Sequence, residues 1–157
     1  MNEPNSICFD DAGNLYICDH LNNRIRKVAP SGIISTIAGN GTPGYLGNGV
    51  PATACEMNNP SQIFVDHFNN VFIADYANNR VRKINSAGII TTIAGNGSGT
   101  SSGDGFQATA AGLHGPGGVV VDHSGNVYVT EFDGNRMRKI NGSGIISTFA
   151  GNGIGGY

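Results

Sequence analysis

"QIFVDHFNNVFIADYANNRVRKINSAGIITTIAG" spans residues 62–95. It divides into four short apolar runs, "QIFVD" (62–66), "VFIAD" (71–75), "RVRKI" (80–84) and "IITTIAG" (89–95), separated by "HFNN", "YANN" and "NSAG". Runs of this length, rich in β-branched and aromatic residues, read as strands, and the intervening Asn, Asp and Gly are residues that tolerate left-handed backbone or bond their own main chain. No stretch keeps an apolar period of 3.6 residues, so helix is expected to be essentially absent. The unit reads as an antiparallel meander of four strands.

The same unit is written three times. A shift of 56 residues aligns Pro4, Pro60 and Pro116, then Asp10, Asp66 and Asp122, then Arg24, Arg80 and Arg136, without a gap. Self-similarity at a fixed period marks a repeat architecture, in which a unit cannot bury its apolar face alone and is stabilised by stacking on its neighbours. The phrase "AGNG" at 38–41, 94–97 and 150–153 opens a connector that repeats as well, "GNGTPGYLGNGVPATACEMNNP" (39–60) and "GNGSGTSSGDGFQATAAGLHGP" (95–116). Matching Gly47/Gly103, Gly49/Gly105, Ala52/Ala108, Thr53/Thr109 and Met57/Leu113 predict an ordered, glycine-bent loop that anchors one apolar residue before the next strand. A flexible tether has no reason to keep residue types position by position.

The segments "GNLYICDHLNNRIRKV" (13–28), "NNVFIADYANNRVRKI" (69–84) and "GNVYVTEFDGNRMRKI" (125–140) resemble the NHL repeat, and the connector resembles the glycine-rich loop of its longer variety. The resemblance covers nearly the whole chain. It implies an all-β chain of β-propeller blades, each a twisted sheet of four antiparallel strands, most often six to a ring. On this reading residues 1–157 form one segment, with blades at about 4–38, 60–94 and 116–150 and connectors at 39–59 and 95–115. Asn48 stands where the family usually has Asp, and Phe106–Gln107 where it favours Gly–Pro. The chain stops inside the third connector, Gly156–Tyr157 falling on Gly44–Tyr45. Three blades are half of a six-blade ring or an open array, so further blades of a longer chain or a second copy are expected to cover the bare end faces. Two halves closing head to tail would make a ring, and a non-closing version of the contact a filament.

With 13% charged residues and a net charge of −2, the chain is neither a strongly basic nucleic-acid protein nor a charged disordered tail. It contains no apolar run long enough to span a membrane and no retained signal peptide. Cys8, Cys18 and Cys55 are odd in number and lack C-x-x-C spacing, so they read as small buried side chains, with a Cys8–Cys18 bridge between neighbouring strands as the alternative.

All nine cations fall in three equivalent clusters: Arg24, Arg26 and Lys27; Arg80, Arg82 and Lys83; Arg136, Arg138 and Lys139. They would recur at one height around a ring as a basic band, a feature suited to phosphate or nucleic acid, and the resemblance adds that some members of the family bind single-stranded RNA on a positive propeller face. The favoured reading is structural: the arginines bond within their blades, for example to Asp19, Asp75 and Glu131, five residues before Arg24, Arg80 and Arg136. Asp10, Asp66 and Asp122 read as turn caps rather than acid–base groups, because catalysis needs unlike residues converging on one place. His20, His67, His114 and His123 show no metal-ligand spacing, and "GDG" (103–105) is a weak calcium signal. Neither a catalytic residue nor a metal or cofactor is assigned. Asn40, Asn96 and Asn141 lie in sequons that are candidate glycosylation sites if the chain is secreted, while the shared repeat position of Asn40 and Asn96 reads equally as inherited turn chemistry; the sequence leaves the compartment open, with the extracellular one favoured. The expected function is a non-enzymatic scaffold for protein binding or self-assembly. The alternatives are an RNA-binding face built on the Arg/Lys clusters, and a fragment of a propeller lyase or hydrolase with a metal in the channel.

Overall fold

The computed structural model describes residues 1–156; Tyr157, aligned above with Tyr45, lies outside the described residues. Three antiparallel sheets follow one another along the chain. The first holds β1 (Pro4–Phe9), β2 (Leu15–Asp19), β3 (Arg24–Val28) and β4 (Ile34–Ala38). The second holds β6 (Pro60–Val65), β7 (Val71–Asp75), β8 (Arg80–Ile84) and β9 (Ile89–Ala94), with β5 (Val50–Pro51) added at its outer edge. The third holds β10 (Pro116–Val121), β11 (Val127–Glu131), β12 (Arg136–Ile140) and β13 (Ile146–Ala150). The four main strands of each sheet lie in chain order, the simple meander that short turns dictate, and β5 alone is out of order, beside β9. The fold is therefore all-β, an open arc of three propeller blades. Among the described residues helix is confined to single 3-10 turns at His20–Asn22, Ala52–Ala54 and Tyr76–Asn78.

The first strands of adjacent blades, β1 with β6 and β6 with β10, pack side by side, so they form the inner edge of the arc. A single sheet has no interior of its own, and the cores lie between blades. In the first core Tyr16, Cys18, Ile25 and Ala38, on the trailing face of blade 1, meet Ile63, Val71, Ile73 and Ile84 on the leading face of blade 2. In the second, Phe72, Ala74, Val81 and Ala94 meet Val119, Val127, Val129 and Ile140. The two cores correspond residue by residue at the 56-residue shift.

Each connector completes the junction that it crosses. It drops Ala52 and Met57, or Ala108 and Leu113, into the core, all at most 1% exposed. It also adds backbone to the outer strand of the following blade: Val50 and Pro51 pair with Ile90 and Ile89, and Gln107 bridges Ile145. An outer strand is thereby protected from pairing with another chain.

Candidate functional site

The repeated "AGNG" phrase is one half of a clamp whose other half is the Asn–Arg pair that opens the third strand of each blade. Asn23, Asn79 and Asn135 hold left-handed backbone, with φ of 52°, 52° and 48°. Gly39, Gly95 and Gly151 lie against that kink with φ between 83° and 89°, and a side chain there would overlap the carbonyl oxygens of the three asparagines. One turn further, Gly41, Gly97 and Gly153 let the guanidinium groups of Arg24, Arg80 and Arg136 lie flat on the loop. Each group donates to the carbonyl in between, Asn40 at 2.7 Å, Asn96 at 2.8 Å and Asn152 at 3.1 Å. Asn23 Oδ1 and Asn79 Oδ1 reach the following blade, accepting from Asn59 N–H and Gly115 N–H at 2.9 Å each.

The first arginine of each cluster is therefore engaged by carbonyls, and the expected pairing with the acid five residues earlier is corrected. Register places Asp75 directly across from Arg80 and Glu131 across from Arg136. The carboxylates nevertheless bond the second arginine, two residues further along the same face: Arg82 to Asp75 at 3.4 Å and Arg138 to Glu131 at 3.3 Å. Arg82 and Arg138 are buried under the connector that precedes their blade, so each needs an opposite charge and a full set of acceptors. The connectors supply further acceptors to the terminal nitrogens, while Nε of each is enclosed without a partner. Arg82 also donates to the Gly47 carbonyl and faces the Tyr45 ring, whose centroid is 4.9 Å away. Arg138 donates to the Ser102 carbonyl at 3.0 Å and to Asp104 at 2.6 Å. Burial raises the Asp75 carboxyl above the ordinary aspartate value, against hydrogen bonds from Asn58, Asn78 and Arg82. Burial also opposes the ionised form of Asp104, but bonds from Thr148 and Arg138 hold that carboxyl below its ordinary value.

Blade 1 departs from this pattern. Arg26 is only half-buried, and Asp19 accepts from Asn2 N–H at 2.7 Å and from Asn22 at 2.9 Å. The third cation of each cluster lies over an aromatic ring: Lys27 over Tyr16, Lys83 over Phe72 and Lys139 over Tyr128, at 5.1, 5.3 and 5.6 Å.

At the opposite end of the strands, Asp10, Asp66 and Asp122 cap their own turns. Asp10 Oδ1 accepts from Ala12 N–H and Asn14 N–H at 3.0 and 2.8 Å, and the other two repeat this. Hydrogen bonds from Asn126 hold the Asp122 carboxyl below its ordinary value. At Asp10 burial opposes the same effect, which Asn14, Tyr16 and Lys27 together produce. The next residue of the turn aligns Asp11, His67 and His123 along the inner edge. His67 Nδ1 lies 2.8 Å from Asp11 Oδ2, and the two imidazole centroids are 6.0 Å apart. The hydrogen bond to Asp11 raises the His67 pKa above the ordinary 6.5. At the other end His20 Nδ1 lies 2.9 Å from the Pro60 carbonyl.

Two concavities open between blades. One, of about 500 Å³, lies at the arginine-clamp end of the inner strands beside His20, Ser61, Gln62, Tyr76 and Phe132. The other, of about 820 Å³, opens at the turn end between blades 2 and 3. Among the described residues no three His, Cys, Asp or Glu side chains gather as metal ligands. The cysteines are free thiols, and the proposed Cys8–Cys18 bridge is not formed. Register explains this, since Cys8 faces Tyr16 and Cys18 faces Ser6. Burial pushes the Cys8 thiol up to about 11 and raises those of Cys18 and Cys55 as well. Asn40, Asn96 and Asn141 are exposed, each with its Oδ1 turned to a backbone N–H two residues on.

Sequence reasoning missed Tyr45 and the bridging Asn23 and Asn79, and it read Asp104 as a weak calcium signal where the structure pairs it with Arg138. The one available signal was the recurrence of the Asn before each arginine.

A family model described as the teneurin NHL domain matches residues 97–154, and one for the NHL repeat matches residues 1–28. Teneurin-4 of Homo sapiens is 31% identical over 162 residues, covering 94% of this chain. The chain spans 6% of the length of that relative. Among solved structures, a structural-genomics protein from Bacteroides thetaiotaomicron aligns over 94% of this chain and 35% of its own, with a TM-score of 0.70 at 22% identity. A streptogramin B lyase aligns over 93% of this chain and 40% of its own, with a TM-score of 0.65 at 17% identity. At these identities the two structures share the fold and nothing finer. Among the described residues no helix is long and apolar enough to cross a membrane.

Proposed function

The chain is built of NHL repeats, and from that premise we propose that it is a non-enzymatic scaffold that binds protein through the faces of its end blades, its first partner being a second copy of itself. One comparison carries this reading. Ile7 is 64% exposed, whereas the residues at the same place in the next two blades, Ile63 and Val119, are 2% and 1% exposed. The position is a junction residue wherever a blade precedes it.

The opposite end of the arc offers the complement. Val120, Thr130, Phe149 and Ala150 are exposed on the trailing face of blade 3, while Ala74 and Ala94 at the matching places in blade 2 are fully buried. A trailing face covers a leading face at both junctions within the chain, so the same contact between copies joins blade 3 of one to blade 1 of the other. Removal of these apolar side chains from water supplies the driving force. A non-enzymatic role is supported by the use already made of the acids: Asp10, Asp66 and Asp122 cap turns, and Asp75, Asp104 and Glu131 hold arginines.

Light scattering after size exclusion, across a range of concentrations, tests the proposal. A discrete dimer supports a closed ring of two halves, and growth with concentration supports the non-closing form of the same contact. A monomer at every concentration overturns it. Ile7→Glu, at a position that the single chain leaves exposed, should return an assembled sample to monomer without loss of the fold.

A further inference from the structure

The cleft of about 820 Å³ between blades 2 and 3 has apolar walls and one lysine without a carboxylate partner. Phe64, Phe72 and Ile93 line it from the trailing face of blade 2, and Val121, Val127 and Ile140 from blade 3. Lys83 stands in the same wall, its ammonium over the Phe72 ring. Its volume suits a molecule of one or two rings.

Of the three repeat lysines, Lys83 is the one that lines this cleft. In blade 1 the corresponding Lys27 Nζ lies 3.7 Å from Asp10 Oδ2, and the Tyr16 hydroxyl donates to the same oxygen at 3.1 Å. Blade 2 has Phe72 in place of that tyrosine, and among the described residues Lys83 has no carboxylate within ion-pair distance; nor has Lys139 in blade 3, although the Tyr128 hydroxyl donates to Asp122 there. The acids at the mouth are held by their own turns or by His67. Asp66 accepts from Phe68 N–H, Asn70 N–H and Asn70 Nδ2, Asp122 caps the matching turn, and Asp11 is bonded to His67.

We infer that this cleft is a binding site for a small amphipathic anion, an aromatic or branched apolar body bearing one carboxylate, with the body between the Phe64 and Phe72 wall and Val121 and the carboxylate on Lys83. An ammonium held on an aromatic face and partly shielded from water forms a charge-assisted bond stronger than a neutral one. Gln107 and Asn141, also in the lining, offer side-chain amides to a second oxygen.

The test uses three probes that share a naphthalene body and carry an anionic, a neutral or a cationic head group: 2-naphthoate, 2-naphthalenemethanol and 2-naphthylmethylammonium. Each is titrated into the isotopically labelled chain and followed by backbone amide NMR shifts. Expected are saturable shifts confined to the surroundings of Phe64, Lys83, Ile93 and Val121, with naphthoate bound at least about tenfold more tightly than the alcohol. Lys83→Gln should erase that preference and Lys139→Gln should keep it. Phe72→Tyr, which restores the bridging hydroxyl of blade 1, should also reduce it and guards against misfolding of the first variant. Equal binding of the three probes, tighter binding of the cation, shifts centred elsewhere, or unchanged naphthoate affinity in folded Lys83→Gln would each overturn the inference.

Discussion

The guanidinium of Arg80 lies flat against Gly97, and its Nη2 donates to the Asn96 carbonyl at 2.8 Å. This contact ties the start of one strand to the loop that leaves the blade two strands later. It recurs at Arg24 with Gly41 and at Arg136 with Gly153. The repeated "AGNG" is thus a packing requirement, set by an arginine 17 residues upstream.

A methyl group on Gly97 would sit 2.5 Å from Arg80 Nη1, at a φ of +88° that side chains rarely adopt. Gly97→Ala should lower stability by about 1–3 kcal/mol. Paired with Arg80→Ala, the loss should be smaller than the sum of the two single changes, because the arginine is what the methyl group meets. A double-mutant cycle by urea denaturation checks this, and strict additivity would show that only backbone strain matters.

Arg82 is fully buried with Asp75, while its counterpart Arg26 is half-buried and holds no such pair. Arg82→Met should leave Asp75 as an uncompensated buried carboxylate and cost about 3–5 kcal/mol. Arg26→Met should cost less than about 1 kcal/mol. Equal losses in thermal or urea melts would refute the role given to the preceding connector.

The hydrogen bond with Asp11 raises the His67 pKa above 6.5. A group with a raised folded value stabilises below its unfolded value, and that contribution is lost as pH rises through the folded value. NMR titration should place the His67 midpoint above the ordinary value, and Asp11→Asn should bring it back. A midpoint indifferent to that substitution would remove the bond.

Asp10, Asp104 and Asp122 have folded values below the ordinary 3.8. Their contribution is complete above the unfolded value and is lost as pH falls through the lower folded ones. Melting temperature should therefore drop steadily below about pH 4. Asp104→Asn should melt lower at neutral pH and show a shallower acid decline. An identical decline would place acid sensitivity elsewhere.

Ile63 and Ile7 occupy one repeat position, 2% and 64% exposed. Ile63→Ala should cost about 2–4 kcal/mol, and Ile7→Ala almost nothing in a dilute single chain. The contrast should shrink at concentrations where copies associate, and denaturation at two concentrations reads it directly.

The period, the four strands of each blade, the turn asparagines and the stacking of blades follow from residues close together in the chain. Strand alternation and turn chemistry are short-range properties, and three copies of the pattern in register leave little freedom. The partners of the arginines did not follow in the same way. Asp75 and Arg80 are the nearer pair along the chain and face each other across the ladder, yet Arg82 takes the carboxylate because the connector from the blade before buries it. That burial is set by residues such as Tyr45, Gly47 and Asp104, some 34 to 37 positions away. The surroundings of Lys83 have the same origin: a lysine present in all three repeats lines the cleft in blade 2 because of the blade packed beside it. Which cation is buried, paired or free depends on the dielectric and the acceptors that neighbouring blades bring, and those exist only once the blades have stacked.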